Sequence, residues 1–151
     1  MTDREYPEDA LRVVVSSEER CTDRYHSGEQ YGDWSESYDF SITGAKVVDE
    51  EYETRYEEDG FRIPAGCTQV YILYMTYSTG DTFGHADGKG EVLYAFGSRE
   101  VAQTALDAVN EKKDDFSIEF KDDFGRKVKV YNPGAGYFEH IYNVGIKVMP
   151  I

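Results

Sequence analysis

The sequence predicts an α+β fold: a mainly antiparallel, twisted β-sheet with one helix, at about residues 98 to 113, packed on one of its faces. Three observations predict it. Short runs of β-branched and aromatic residues recur along the chain, aromatic side chains make up 15% of it, with thirteen tyrosines against one tryptophan, and a single stretch has a clear helical period. At 151 residues the chain has the size of one domain and can bury a core without disulfide or metal staples. Residues 1 to 68 form an acidic strand and loop portion, and residues 69 to 151 a β-β-α-β-β-β portion.

The elements follow in order. Residues 11 to 16 are a short apolar run with three consecutive valines, the pattern of a strand covered on both faces. Residues 17 to 37, which include Cys21, His26, Gly28, Gly32 and Asp33, are polar without a period and read as a long surface excursion. From Tyr38 the pattern alternates through Phe40 and Ile42, and Gly44 is placed to mark a bulge before Val47 and Val48. Residues 49 to 59 gather seven carboxylates around Tyr52 and Tyr56, which would share one face of a short helix, although strand or loop is equally open. Phe61-Arg62-Ile63-Pro64-Ala65-Gly66 reads as a connection. Residues 69 to 78 are the strongest strand, with Val70, Ile72 and Tyr74 on one face and Tyr71, Leu73 and Met75 on the other. A glycine-rich loop is expected over residues 79 to 90, and residues 91 to 96 return as its partner strand.

Ser98 can cap a helix running from Arg99 to about Lys113, whose apolar face is Val101, Ala102, Ala105, Leu106 and Val109. Lys112 and Lys113 suit the negative end of its dipole. Phe116, Ile118 and Phe120 then alternate, Asp122-Asp123-Phe124-Gly125 turns the chain, and Val128 and Val130 alternate back as a hairpin. After the turn at residues 132 to 136 a last strand ends near Val148.

Charge is the most informative global feature. The formal net charge is -14, and residues 1 to 60 carry eighteen acidic and six basic side chains, against twelve and ten in the remainder. A field of that sign repels nucleic-acid backbones and anionic membranes and steers the chain toward basic protein surfaces, so direct nucleic-acid and membrane binding are not expected. The same composition also serves plain solubility. No apolar run approaches the roughly 20 residues needed to cross a bilayer, and the start lacks the basic and apolar regions of a signal peptide, so the cytoplasm is the expected location.

Two groups of residues are candidates for function. The first is acidic and aromatic: Trp34, Tyr38, Tyr52 and Tyr56 as anchors among Glu50, Glu51, Glu53, Glu57 and Glu58, a composition suited to a basic protein partner. The second is the polar loop Thr79, Gly80, Asp81, Thr82, Phe83 and Gly84, which with Tyr137 and Phe138 could line a site for a nucleotide-like ligand. Against it, no GxxxxGK[ST] pattern is present, and such loops commonly satisfy their own backbone. Asp81, His85, Asp87 and Glu91 match no calcium-loop spacing, so no metal is expected. Cys21 and Cys67 are too few and too far apart for a disulfide framework or a metal knuckle, and neither has the flanking signature of a nucleophile that His26, His85 or His140 would activate. No cofactor and no catalytic residue are assigned.

The segment Tyr77-Ser78-Thr79-Gly80-Asp81-Thr82-Phe83-Gly84, the helix with Ala102 and Ala105, and the late Gly136-Tyr137-Phe138-Glu139 resemble small uncharacterised proteins of tailed bacteriophages. The resemblance covers residues 69 to 151 and leaves out the acidic first 68. It implies a setting, the cytoplasm of an infected bacterium, rather than an activity. Small acidic accessory proteins in that setting often bind and inhibit a host protein, an antiviral defence protein being one such target and imitation of nucleic-acid charge one such means. The expected function is therefore non-enzymatic inhibition of a host protein through the acidic, aromatic surface, with sequestration of a small nucleotide-like ligand at residues 77 to 84 as the alternative.

Overall fold

The computed structural model describes residues 6–26, 34–49, 58–81, 84–135 and 142–151. Among them lie eight strands and one α-helix: β1 (Leu11–His26), β2 (Trp34–Val48), β3 (Glu58–Ile63), β4 (Gln69–Asp81), β5 (Gly84–Phe96), α1 (Arg99–Glu111), β6 (Ser117–Lys121), β7 (Lys127–Tyr131) and β8 (Tyr142–Pro150). Six strands form one sheet in the order β3-β1-β2-β5-β4-β8, and β6 and β7 form a separate pair. Pairings are antiparallel except between β2 and β5, which run parallel from Trp34 opposite Gly84 to Ser37 opposite Asp87. This is the α+β, mainly antiparallel architecture expected, and the large sheet takes three strands from each of the two portions of the chain.

Alternation along β4 puts opposite faces of that strand into two cores. Val70 and Ile72 pack with Val13, Val15 and Ile63 from β1 and β3 and with Val92 and Ala95 from β5. Leu73 and Met75 pack on the other side with Ala102, Ala105 and Val109 of α1 and with Ile118 and Phe120 of β6. Each valine, leucine, isoleucine, methionine or phenylalanine side chain among them contributes about 1.5–3 kcal/mol on removal from water. Val14 is fully buried beside Val13 and Val15, so β1 is covered on both faces there, as its apolar run predicts. Tyr94 joins the two cores, its ring 4.9 Å from Phe61, 5.2 Å from Phe96 and 5.7 Å from Phe120. Burial pushes its phenol far above the usual tyrosine range, so it stays neutral.

The predicted bulge falls beside Gly44. Ser16 faces Gly44 and Ser17 faces Ile42, which leaves Thr43 unpaired and lets Ile42 and Ala45 both point into the β1–β4 core. The helix also starts as expected. Ser98 has extended dihedrals and its Oγ accepts from the Val101 N–H at 3.4 Å. A second cap arrives from the β6–β7 turn, where the Asp123 carboxylate accepts from Gly97 N–H at 2.8 Å and Ser98 N–H at 3.0 Å. Burial raises the Asp123 pKa, an effect these two N–H groups partly offset. Asp122 Oδ1 accepts from the N–H groups of Phe124 and Arg126, both at 2.9 Å, and Gly125 supplies the positive φ of 77° that closes the turn. The helix ends at Glu111, so Lys112 caps it and Lys113 lies beyond.

Four local expectations are corrected. Residues 17 to 26 and 34 to 37 are not a surface excursion but the distal halves of β1 and β2, paired from Ser17 opposite Ile42 to His26 opposite Trp34. Both faces there carry polar side chains, which erases the alternation that would announce a strand. Phe61, Arg62 and Ile63 belong to β3, which pairs with β1 from Leu11 opposite Ile63 to Ser16 opposite Glu58; Pro64 and Gly66 only end it. Residues 79 to 90 are not a loop: β4 runs through Asp81 and β5 begins at Gly84, with Thr79 opposite Ala86 and Gly80 opposite His85. Phe116, expected to alternate inward with Ile118 and Phe120, is 61% exposed because β6 begins after it.

Candidate functional site

The glycines of β5 fall in the segment that the sequence presents as a glycine-rich loop, and the structure gives Gly88 and Gly90 a packing role. Gly88 has a φ of 82°, and a side chain there would strike the backbone carbonyl of Tyr38. A Cβ at Gly90 would enter the Phe40 ring. The small residues thus let β2 lie across β5 at close range, and they position the polar side chains between the two strands.

Register divides the distal β1–β2 hairpin into two faces. Glu19, Cys21, Arg24, Glu36, Tyr38 and Phe40 alternate onto the face toward β5; Glu18, Arg20, Asp23 and Asp39 alternate onto the other. Glu19 ties the inner face down: Oε1 accepts from the Gly90 N–H at 3.0 Å and Oε2 lies 3.4 Å from Lys89 Nζ. Lys89 Nζ also sits 4.7 Å from the centre of the Tyr38 ring, a cation–π contact. The Tyr38 hydroxyl donates to Glu36 Oε2, and Arg24 Nε meets Glu36 Oε1 at 3.1 Å. The Glu36 carboxylate raises the pKa of both groups, holding the Tyr38 phenol neutral and the Arg24 guanidinium charged. The inner face is therefore a neutralised polar cluster, while Glu18, Arg20, Asp23 and Asp39 on the outer face are exposed and leave it net negative.

Of the acidic and aromatic candidates, Tyr38 lies in this inner cluster rather than beside the outward carboxylates. Trp34 takes its backbone position at the start of β2, opposite both His26 and Gly84. Glu58 opens β3 opposite Ser16. Glu50, Glu51, Tyr52, Glu53, Tyr56 and Glu57 lie outside the described residues. Of the loop candidates, Thr79, Gly80, Asp81 and Gly84 form the paired ends of β4 and β5, whereas Thr82, Phe83, Tyr137 and Phe138 lie outside the described residues. A run of backbone committed to a β-ladder does not form the concave nest of amides that cradles a phosphate.

Sequence reasoning missed Glu19, Arg24, Glu36 and Lys89 as a connected group, since only the strand register brings residues so far apart in sequence together. It also missed a Ser-His-Asp grouping. His85 Nε2 lies 3.5 Å from Ser35 Oγ and 3.3 Å from Asp87 Oδ2, and Asp87 Oδ1 accepts from Ser78 Oγ at 2.8 Å. Serine and carboxylate approach the same ring nitrogen, so the ring cannot pass a proton from one to the other as in a hydrolytic triad. The His85 and Asp87 side chains are about half exposed, at 55% and 52%, where solvent screens them. Cys67 Sγ lies 3.8 Å from the Gly97 carbonyl oxygen, and burial, then Asp123, pushes its thiol upward, away from a reactive thiolate. Among the described residues no group of three His, Cys, Asp or Glu side chains is arranged to hold a metal, and no helix is long and apolar enough to cross a membrane. Comparison with protein-family models, curated proteins and solved structures finds no match for the chain.

Proposed function

We propose that this chain is a non-enzymatic binding protein that docks its acidic portion on a basic surface of a host protein and inhibits it, in the cytoplasm of a phage-infected bacterium. The charge distribution carries the reading: eighteen carboxylates against six basic side chains in residues 1 to 60 make that portion the source of nearly the whole net charge. The division of the β1–β2 hairpin supports it, because the basic side chains Arg24 and Lys89 are matched by Glu36 and Glu19 on the inner face. Glu18, Asp23 and Asp39 lie on the face directed away from β5, where Arg20 is the basic residue among them, and Glu50, Glu51, Glu53, Glu57 and Glu58 follow later in the same acidic portion. Tyr52, Tyr56 and Trp34 are the proposed aromatic anchors, since desolvated rings ringed by charge make the energetic centres of interfaces. The infected-cell setting rests on the resemblance at residues 77 to 84 and 136 to 139.

The test is capture of host proteins by the tagged chain from infected lysate, beside a variant with Glu18, Asp23 and Asp39 changed to lysine and a second with Glu50, Glu51, Glu53, Glu57 and Glu58 changed to lysine. A stoichiometric host protein that is retained at low salt, released at high salt and lost by either variant is expected. Retention unchanged in both variants refutes the acidic docking surface.

A further inference from the structure

His85 and Asp87 stand two apart on β5, so both side chains leave the same face of the strand. Parallel pairing sets Ser35 of β2 opposite His85, and its hydroxyl reaches the same ring nitrogen. His85 Nε2 is 3.3 Å from Asp87 Oδ2 and 3.5 Å from Ser35 Oγ. A charge-assisted hydrogen bond between ring and carboxylate would close to about 2.7–2.9 Å. Ligand atoms about 2.0–2.2 Å from a zinc ion at tetrahedral angles stand roughly 3.3–3.6 Å apart, and both spacings at Nε2 fall in that range. The octahedral ligands of magnesium, at about 2.0–2.1 Å, stand only roughly 2.8–3.0 Å apart, and calcium needs about six or more oxygen ligands.

Two further features suit a cation. Asp87 Oδ1 accepts from Ser78 Oγ at 2.8 Å, which orients the carboxylate with Oδ2 toward the ring, as hydrogen bonds from outer-shell groups orient metal ligands. The neighbouring cations Arg24 and Lys89 are held by Glu36 and Glu19 on the inner face, and the net charge of -14 draws cations to the chain. We propose that His85, Asp87 and Ser35 form a site for a tetrahedral divalent transition metal, of which zinc is the type: His85 Nε2 and Asp87 Oδ2 bind the ion, Ser35 Oγ stands at a third vertex and water takes the fourth. Imidazole beside a single carboxylate favours such an ion over magnesium or calcium. The third donor is a hydroxyl, so the site differs from the sets of three His, Cys, Asp or Glu side chains that are absent among the described residues. With two strong ligands and half-exposed side chains it is an exchangeable site rather than a closed structural centre, and its ion ties β2 to β5 at their short parallel pairing. The site stands independently of any host partner.

The experiment is titration of the chelator-treated full chain with zinc chloride, followed by calorimetry and by amide and imidazole shifts, with cobalt(II) absorption reporting the geometry. Saturable binding with a Kd below about 0.1 mM, shifts centred on His85 and Ser35, and a cobalt band of tetrahedral intensity are expected. His85→Asn and Asp87→Asn should each weaken binding at least about tenfold; Ser78→Ala should weaken it about tenfold and Ser78→Thr restore it. His26→Asn with His140→Asn should leave it unchanged, and magnesium chloride at the same concentration should shift nothing. Undiminished zinc binding in the variant carrying both His85→Asn and Asp87→Asn, loss of binding in His26→Asn with His140→Asn, or no saturable binding up to about 1 mM zinc would each overturn the proposal.

Discussion

Replacing Gly88 with alanine tests the claim that the glycine-rich segment is a close-packed strand. The residue has a φ of 82°, which costs an L-residue about 1–2 kcal/mol, and the added methyl meets the Tyr38 backbone carbonyl, which is held in β2 and cannot swing aside as a side chain would. Overpacking of that kind costs about 1–3 kcal/mol. Together the two give a loss of about 2–5 kcal/mol, or a fall of roughly 4–20 °C in melting temperature for a chain of this size. Gly44→Ala is the internal control, because a Cβ there meets nothing within 4 Å and φ is ordinary; it should change stability by less than about 0.5 kcal/mol. Gly90→Ala completes the series. Its methyl collides with the Phe40 side chain, so Phe40→Leu should relieve part of the cost, and the double variant should be less destabilised than the two single changes added together. Urea denaturation followed by circular dichroism reads all five variants. If Gly88→Ala is as stable as Gly44→Ala, β2 does not lie across β5 as described, and the assignment of the inner face falls with it.

Two other perturbations probe the core and the helix cap. Ile72→Ala, in the fully buried layer between β1 and β4, should cost about 2–5 kcal/mol in the same denaturation assay, whereas the equivalent loss at Val148, 47% exposed, should be much smaller. Asp123 has a folded-state pKa raised by burial, so the folded chain holds that proton to higher pH than the unfolded chain. Its contribution to stability is therefore larger when protonated and declines as pH rises through the window just above the ordinary carboxylate range. Comparing melting curves from pH 4 to pH 7, roughly the window concerned, Asp123→Asn should flatten that decline; an unaltered pH profile would show that the carboxylate titrates normally.

Legibility of the fold in the sequence followed the contrast between the two faces of each element. Residues 69 to 78 were readable because Val70 and Ile72 face one core while Leu73 and Met75 face another, and the helix was readable from Ser98 and the spacing of Ala102, Ala105 and Val109. The distal halves of β1 and β2 were not, since the inner face holds Glu19, Arg24 and Glu36, which pair with one another and with Lys89 instead of with an apolar layer. β3 was hidden because only Phe61 and Ile63 face the core before Pro64 interrupts. In β5 the glycines that signal loops in isolation are demanded by Tyr38 and Phe40, fifty residues earlier, a reason no local pattern carries. The acidic bias of the first 60 residues was plain from composition, but which carboxylates face outward depends on the bulge at Thr43 and the slip between Cys21 and Asp23, which only the pairing reveals.

The most direct test of the central claim is the salt dependence of binding to the captured host protein, measured for the native chain and for the variant with Glu18, Asp23 and Asp39 changed to lysine. The account predicts an association rate that falls steeply with ionic strength for the native chain and a slower rate with a shallower salt slope for the variant, with both folded to the same degree by circular dichroism. Identical rates and identical salt slopes for the two would contradict it.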